Sequence, residues 1–102
     1  MRGSMSFRYE AEGELWAYAG PGGWHFITLP IEVAEGIRTV AGPLAPFGSL
    51  RVIARIGDVS WKTSLFKDSK SRSFLLPVKA EVRRRAGVSA GERTAYSVEI
   101  DA

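Results

Sequence analysis

An alternation of apolar and polar residues in the middle of the chain is the strongest constraint on its fold. Residues 50–56 carry an apolar side chain at every even position, and Val59, Trp61 and Leu65 continue the alternation at odd positions. Gly57-Asp58 lies between the two segments and is typical of a tight turn. A period of two is that of a half-buried strand, so these residues predict a β-hairpin with one face in a hydrophobic core.

The rest of the chain predicts four more strands and two short helices. The strands are expected over residues 7–17, 24–29, 73–76 and 94–100. Gly13 interrupts the first of them, which predicts a bulge or a sharp bend. One helix is expected to begin at Pro30 and stop at Gly42-Pro43, and the other to end at Gly87. The helical stripes are Val33, Ile37 and Val40, and then Val78, Val82 and Ala86.

These elements predict a small antiparallel or mixed β-barrel. A chain of 102 residues with 11 glycines and 5 prolines is the size of one domain and is rich in turns. Residues 1–4 resemble a vector-derived leader, so we assign residues 5–102 to a single β-barrel domain. The predicted core includes Val52, Ala54, Ile56, Trp61, Leu65, Leu76, Val82 and Val98.

Composition excludes several classes of function. The chain has no cysteine, which excludes disulfides and thiolate chemistry, and its single histidine, His25, cannot build a histidine-rich metal site. We therefore expect no metal and no cofactor. The net charge of +3 is low for a dedicated polyanion binder. No stretch is apolar for long enough to span a membrane, so we expect a cytoplasmic protein without a membrane partner.

A weak internal similarity links two parts of the chain. Leu29-Pro30 and Leu76-Pro77 each close a predicted strand and open a predicted helix. Proline suits such a corner because its fixed φ and missing N–H are tolerated in the first helical turn. Either a pseudo-symmetric barrel or coincidence explains the similarity.

Four stretches of the chain carry a resemblance to known proteins: Trp24 to Pro30, Phe47 to Val52, Ile56-Gly57 with Trp61 to Phe66 (the most specific), and Leu75 to Lys79. Together they resemble one bacterial family, the domain-of-unknown-function family nineteen-oh-five, whose relatives are sometimes fused to a YdeI/OmpD-associated bacteriocin-protection domain. The resemblance runs from about Phe7 to Ile100, with Lys67 and Glu92 as departures from the usual residues. It implies a small double-split β-barrel of about six short strands and two short helices, similar to swapped-hairpin folds of AbrB and MazE type. The family brings no established activity.

Aromatic and polar residues from separate strands make one candidate binding site. A barrel mouth lined by apolar rings with a few polar groups is a usual place for a ligand. The alternative is that the tryptophans are core residues, which the apolar parity of Trp61 favours. His25 is expected to be a hydrogen-bonded, partly buried histidine with no catalytic role. The candidate ligand-binding residues are Trp24, His25, Trp61, Lys62, Ser64, Phe66 and Lys79, with Thr63 as a further polar anchor.

A basic cluster on the second helix suggests a second site. Lys79, Arg83, Arg84 and Arg85 fit a phosphate-contacting patch, but three adjacent helical arginines fan over roughly 200° and are more typical of a solvated surface.

Our leading hypothesis is therefore a non-enzymatic module, monomeric or homodimeric, that binds a small ligand or a protein at a tryptophan-lined site. The alternative is a nucleic-acid-binding regulator of swapped-hairpin type. An enzyme ranks third, because no catalytic constellation can be assembled from these residues.

Overall fold

Six antiparallel strands close into a barrel in the computed structural model, which describes residues 6–41 and 49–101. The strand order around the ring is β1-β2-β5-β4-β3-β6, and β6 pairs again with β1. This confirms the predicted mainly β fold, while its likeness to swapped-hairpin folds stays a prediction. The elements are β1 (Ser6–Ala17), β2 (His25–Thr28), α1 (Ile31–Ala41), β3 (Ser49–Ile56), β4 (Val59–Asp68), β5 (Ser73–Pro77), α2 (Ala80–Ala86) and β6 (Arg93–Asp101).

The central hairpin forms in the predicted register. Ile56 pairs with Val59 and Ala54 with Trp61, so the Gly57-Asp58 turn joins β3 to β4. The even positions of β3 are buried, as the alternation requires. All eight residues of the predicted core are buried, which confirms the strand parities.

Gly13 lies in β1 without a bulge, so that part of the prediction is wrong. Pairing with β6 continues without interruption through Glu12↔Ala95, Gly13↔Thr94 and Glu14↔Arg93. The reason for glycine is a close approach, because a Cβ at position 13 would lie 2.7 Å from Cγ2 of Ile27 on β2. Glycine in a strand marks such approaches as well as bulges.

Helix α1 begins directly after Pro30, whereas α2 begins at Ala80, three residues after Pro77. In α1 the most buried residues are Ala34, Ile37 and Ala41, while the predicted Val33 and Val40 are only half-buried and pack at the edge of the core. Helix α2 ends at Gly87 in the left-handed conformation, as predicted, with its N–H on the carbonyl of Arg83. Within the described ranges, neither helix is long or apolar enough to cross a membrane. The predicted leader (residues 1–4) and the predicted helix stop at Gly42-Pro43 lie outside the described residues.

The topology is built from one repeated unit. The element order is strand-strand-helix-strand, and then the same again. Exchanging β1, β2 and β3 with β4, β5 and β6 leaves the order of strands around the ring unchanged. The two Leu-Pro corners occupy equivalent places in the two units, which favours the pseudo-symmetric barrel over coincidence.

Replacing Gly13 with alanine should destabilise the barrel by roughly 1–3 kcal/mol, because the new methyl overpacks the contact with Ile27. Chemical denaturation measures the cost. In an Ile27→Leu background, which lacks the Cγ2 methyl, the same substitution should cost less. An equal cost in both backgrounds would contradict this account of Gly13.

One core side chain carries a polar group with no described partner. Tyr96 on β6 is buried, and its hydroxyl has no hydrogen-bond partner among the residues that the structure describes. Burial raises the pKa of Tyr96 from 10.0 to about 12, and the nearby Arg93 lowers the pKa in part. A buried hydroxyl without a partner destabilises the folded state, so Tyr96 is a site where a polar atom is tolerated at a cost.

The raised pKa of Tyr96 makes stability depend on alkaline pH. The unfolded chain releases the phenolic proton near pH 10, whereas the folded chain keeps it until about pH 12, so stability falls between these values. Tyr96→Phe should be slightly more stable near neutral pH. Its stability should also lack the decrease at alkaline pH that the Tyr96 phenol causes. Urea melts should show the variant's advantage widening by roughly 1 kcal/mol between about pH 9 and pH 11. A constant advantage would mean that Tyr96 titrates normally.

Candidate functional site

The predicted ligand-binding residues meet at one cleft in the barrel surface. It has a volume of about 570 Å³ and lies between the start of β2, the outer face of β4 and the start of α2. We call it the tryptophan cleft. Every residue of the predicted ligand-binding set lines it, namely Trp24, His25, Trp61, Lys62, Ser64, Phe66 and Lys79, and so does Thr63.

Strand β4 supplies one wall through its alternation. Lys62 and Phe66 are exposed, and Ser64 between them is half-buried, because these even positions point away from the core. Trp61 points inward and is only 8% exposed, yet it also borders the cleft. The two interpretations of Trp61 therefore both apply, since the ring is a core residue that also lines the cleft.

The turn before β2 supplies the opposite wall. The backbone N–H of Tyr18 donates to the carbonyl of Trp24 at 2.8 Å, which closes the glycine-rich turn. The Trp24 ring stacks on Phe26, with centroids 5.9 Å apart and planes 3° from parallel. Half of Trp24 is nevertheless exposed. The result is a large flat ring, held by stacking, with a free side.

His25 and Arg83 hold one another at the end of the cleft. Nδ1 of His25 lies 2.9 Å from the carbonyl of Gly23, and Nε2 lies 3.1 Å from Nη1 of Arg83. A guanidinium only donates, so Nε2 is the acceptor and the neutral imidazole carries its proton on Nδ1, where it donates to Gly23. Because both ring nitrogens are engaged, His25 is not placed to activate the hydroxyl of Ser64 or Thr63.

The cleft is positively charged. Lys62, Lys79 and Arg83 line it, and none of its described lining residues is acidic. Arg83 is also held by its Nε, which donates to the carbonyl of Val78 at 3.2 Å. In the part of the chain that the structure describes, no group of three histidine, aspartate or glutamate side chains is placed to hold a metal ion. The cleft can therefore attract an anionic group and place it beside apolar rings.

The basic residues of α2 divide between two surfaces. Lys79 and Arg83 line the cleft, whereas Arg84 and Arg85 are exposed outside it. The sequence predicted Arg83 only for the nucleic-acid patch. The place of Arg83 beside Lys79 in the cleft did have a signal, because positions 79 and 83 lie about one turn apart on the same helical face, whereas its contact with His25 had none.

The fold and this cleft define a small antiparallel barrel with a cationic, aromatic-lined cleft. The chain belongs to the family described as Domain of unknown function (DUF1905), which it matches over residues 12–98. The match begins in β1 and ends in β6, so it includes every residue of the cleft. It confirms the family resemblance found in the sequence. No curated protein matches the chain.

The two cleft tryptophans should differ sharply in their contribution to stability. Trp61→Ala should cost about 3–5 kcal/mol, because it opens a cavity in the core. Trp24→Ala should cost about 1 kcal/mol or less, because that ring is half exposed and loses mainly its stacking on Phe26. Urea melts of the two variants measure the difference. Similar costs would mean that the tryptophans share one environment.

Proposed function

We propose that this protein is a binding module whose tryptophan cleft takes a small organic anion with a flat apolar ring. The observation that carries the proposal is the pairing of aromatic walls with three cations and no carboxylate in the described lining. Ligand sites are typically apolar clefts in which a few polar groups fix the orientation. The ring of such a ligand would contact Trp24 and Phe66, and its acidic group would lie near Lys79 and Arg83.

The fixed position of the Arg83 side chain supports a site for a small ligand rather than a chance grouping of surface charges. The side chain of Arg83 is fixed by Val78 and His25, so little rotamer entropy remains to be lost on binding. Its charge is not neutralised, because the groups that hold it are a carbonyl and a neutral imidazole. Among the described residues, no carboxylate lies within ion-pair distance of Arg83.

A regulator that binds duplex DNA through α2 has weaker support. Such a regulator would present Arg83, Arg84 and Arg85 on one surface, but Arg83 lines the tryptophan cleft and Arg84 and Arg85 lie outside it. Two exposed arginines on a seven-residue helix are an ordinary solvated surface. We therefore favour the small ligand.

Matched probes test the proposal. Calorimetry should detect binding of 2-naphthoate and markedly weaker binding of 2-naphthamide, which has the same ring without the charge. Lys79→Gln should weaken naphthoate binding by about 2- to 5-fold, because the cleft loses one partly solvated cation. Arg85→Gln removes the same charge from the same helix outside the cleft and should leave binding unchanged.

Three results would contradict the proposal. The amide could bind as tightly as the carboxylate, Arg85→Gln could weaken binding as much as Lys79→Gln, or no binding could be detected at millimolar probe. Thermal melts of both variants ensure that any change in affinity is not a change in folding.

A further inference from the structure

A second surface, beside the tryptophan cleft, is lined with aromatic rings. A groove of about 1120 Å³ runs over the outer face of β1, β2 and β5 and reaches the turn that follows β4. We call it the aromatic groove. The exposed fraction is 50% for Tyr18 and 42% for Phe66. The rings that line it are Trp16, Tyr18, Trp24, Phe26 and Phe66.

The rings of the groove are fixed by one another and by a hydrogen bond to the side chain of Thr28. Trp16 is paired with Phe26 across β1 and β2, and their ring centroids lie 5.2 Å apart. The indole nitrogen of Trp16 donates to the hydroxyl of Thr28 at 3.0 Å. Tyr18 meets the same Phe26 edge-on at 6.5 Å. These rings therefore form a rigid platform with open faces, which binds flat partners at little entropic cost.

The groove and the tryptophan cleft adjoin, and we call the two together the path. Trp24 and Phe66 line both of them, so these two rings stand at the boundary between groove and cleft. A ligand longer than one ring can thus pass from the cleft into the groove without leaving aromatic contact.

The path carries a net positive charge, which lies in its cleft part. Lys62, Lys79 and Arg83 line the cleft, whereas the described lining of the groove adds one lysine, Lys70, and one carboxylate, Asp68. Asp68 is the one carboxylate among the described lining residues, and its Oδ2 accepts hydrogen bonds from the amide and hydroxyl of Ser71 at 3.1 and 2.7 Å. The charge disfavours a second copy of the chain as the occupant, because two such surfaces would bring like charges together.

We propose that this path binds a single strand of nucleic acid, with bases stacked on Tyr18, Trp24 and Phe66 and phosphates near the lysines and Arg83. Exposed rings and a positive groove are the two features that unspecific single-strand binding requires. A duplex does not fit, because its bases are already stacked on each other. The inference rests on the proposed function for the anion preference of the cleft, whereas the ring platform of the groove is an independent observation.

Fluorescence anisotropy with a labelled twelve-nucleotide oligothymidylate tests the inference. The wild-type protein should bind it more tightly at low salt and should bind a twelve-base-pair duplex at least about 10-fold more weakly. An oligouridylate of the same length distinguishes RNA from DNA as the preferred strand. Tyr18→Ala, at a half-exposed ring outside the cleft, should weaken binding of the single strand by about 5- to 150-fold.

Charge variants complete the test. Lys70→Gln should reduce the salt slope by about 0.7 unit, as expected for one lost contact to a single-strand phosphate. Arg85→Gln, outside both surfaces, should change neither affinity nor slope. Tyr18→Ala should leave binding of 2-naphthoate unchanged, because Tyr18 does not line the cleft.

The outcomes separate the inference from the proposed function. If the protein binds naphthoate but no oligonucleotide, the inference is overturned and the proposed function is kept. The same holds if the protein binds naphthoate and binds the single strand and the duplex with equal affinity. Single-strand binding that Tyr18→Ala leaves intact also overturns the inference. A wild-type dimer in sedimentation that Tyr18→Ala dissociates assigns the groove to a second copy, which overturns it as well. Loss of both kinds of binding overturns both proposals.

Discussion

Closure of the barrel depends on β1, because its first part pairs with one neighbouring strand and its last part with another. It pairs with β6 over residues 6–14 and with β2 over residues 15–17. The change of partner comes beside Gly13, where a Cβ would lie too close to Ile27 unless one of them shifted. Strand β2 has only four residues and is held between β1 and β5. Backbone pairing on both sides and the close approach at Gly13 together place β2 in the ring.

The position of β2 determines the binding surfaces. The carbonyl of His25 accepts the amide of Val78 at 2.9 Å, which ties the start of β2 to the chain just before α2. Arg83 on α2 then reaches the His25 ring. The start of β2 and the start of α2, brought together by these contacts, form the cleft against the outer face of β4.

Local patterns predicted much of this, and contacts between distant residues account for the rest. The alternation in β3 and β4 determines which side chains are buried, so Ala54 and Leu65 were predicted correctly from parity alone. The candidate residues of the cleft came from outward-facing positions and aromatic residues beside turns. The contact between His25 and Arg83, 58 positions apart, has no local signal. The groove has no local signal either, because its rings come together through the pairing of β1 with β2, which places Trp16 opposite Phe26.

Fluorine NMR of the protein labelled with 5-fluorotryptophan tests the central claim most directly, because the three tryptophans divide between the two surfaces. Trp61 lines only the cleft, Trp16 only the groove, and Trp24 both. Addition of 2-naphthoate should shift the resonances of Trp61 and Trp24 and leave that of Trp16 in place. A shift confined to Trp16, or no shift at saturating probe, would contradict the claim that the cationic cleft between β2, β4 and α2 is a binding site.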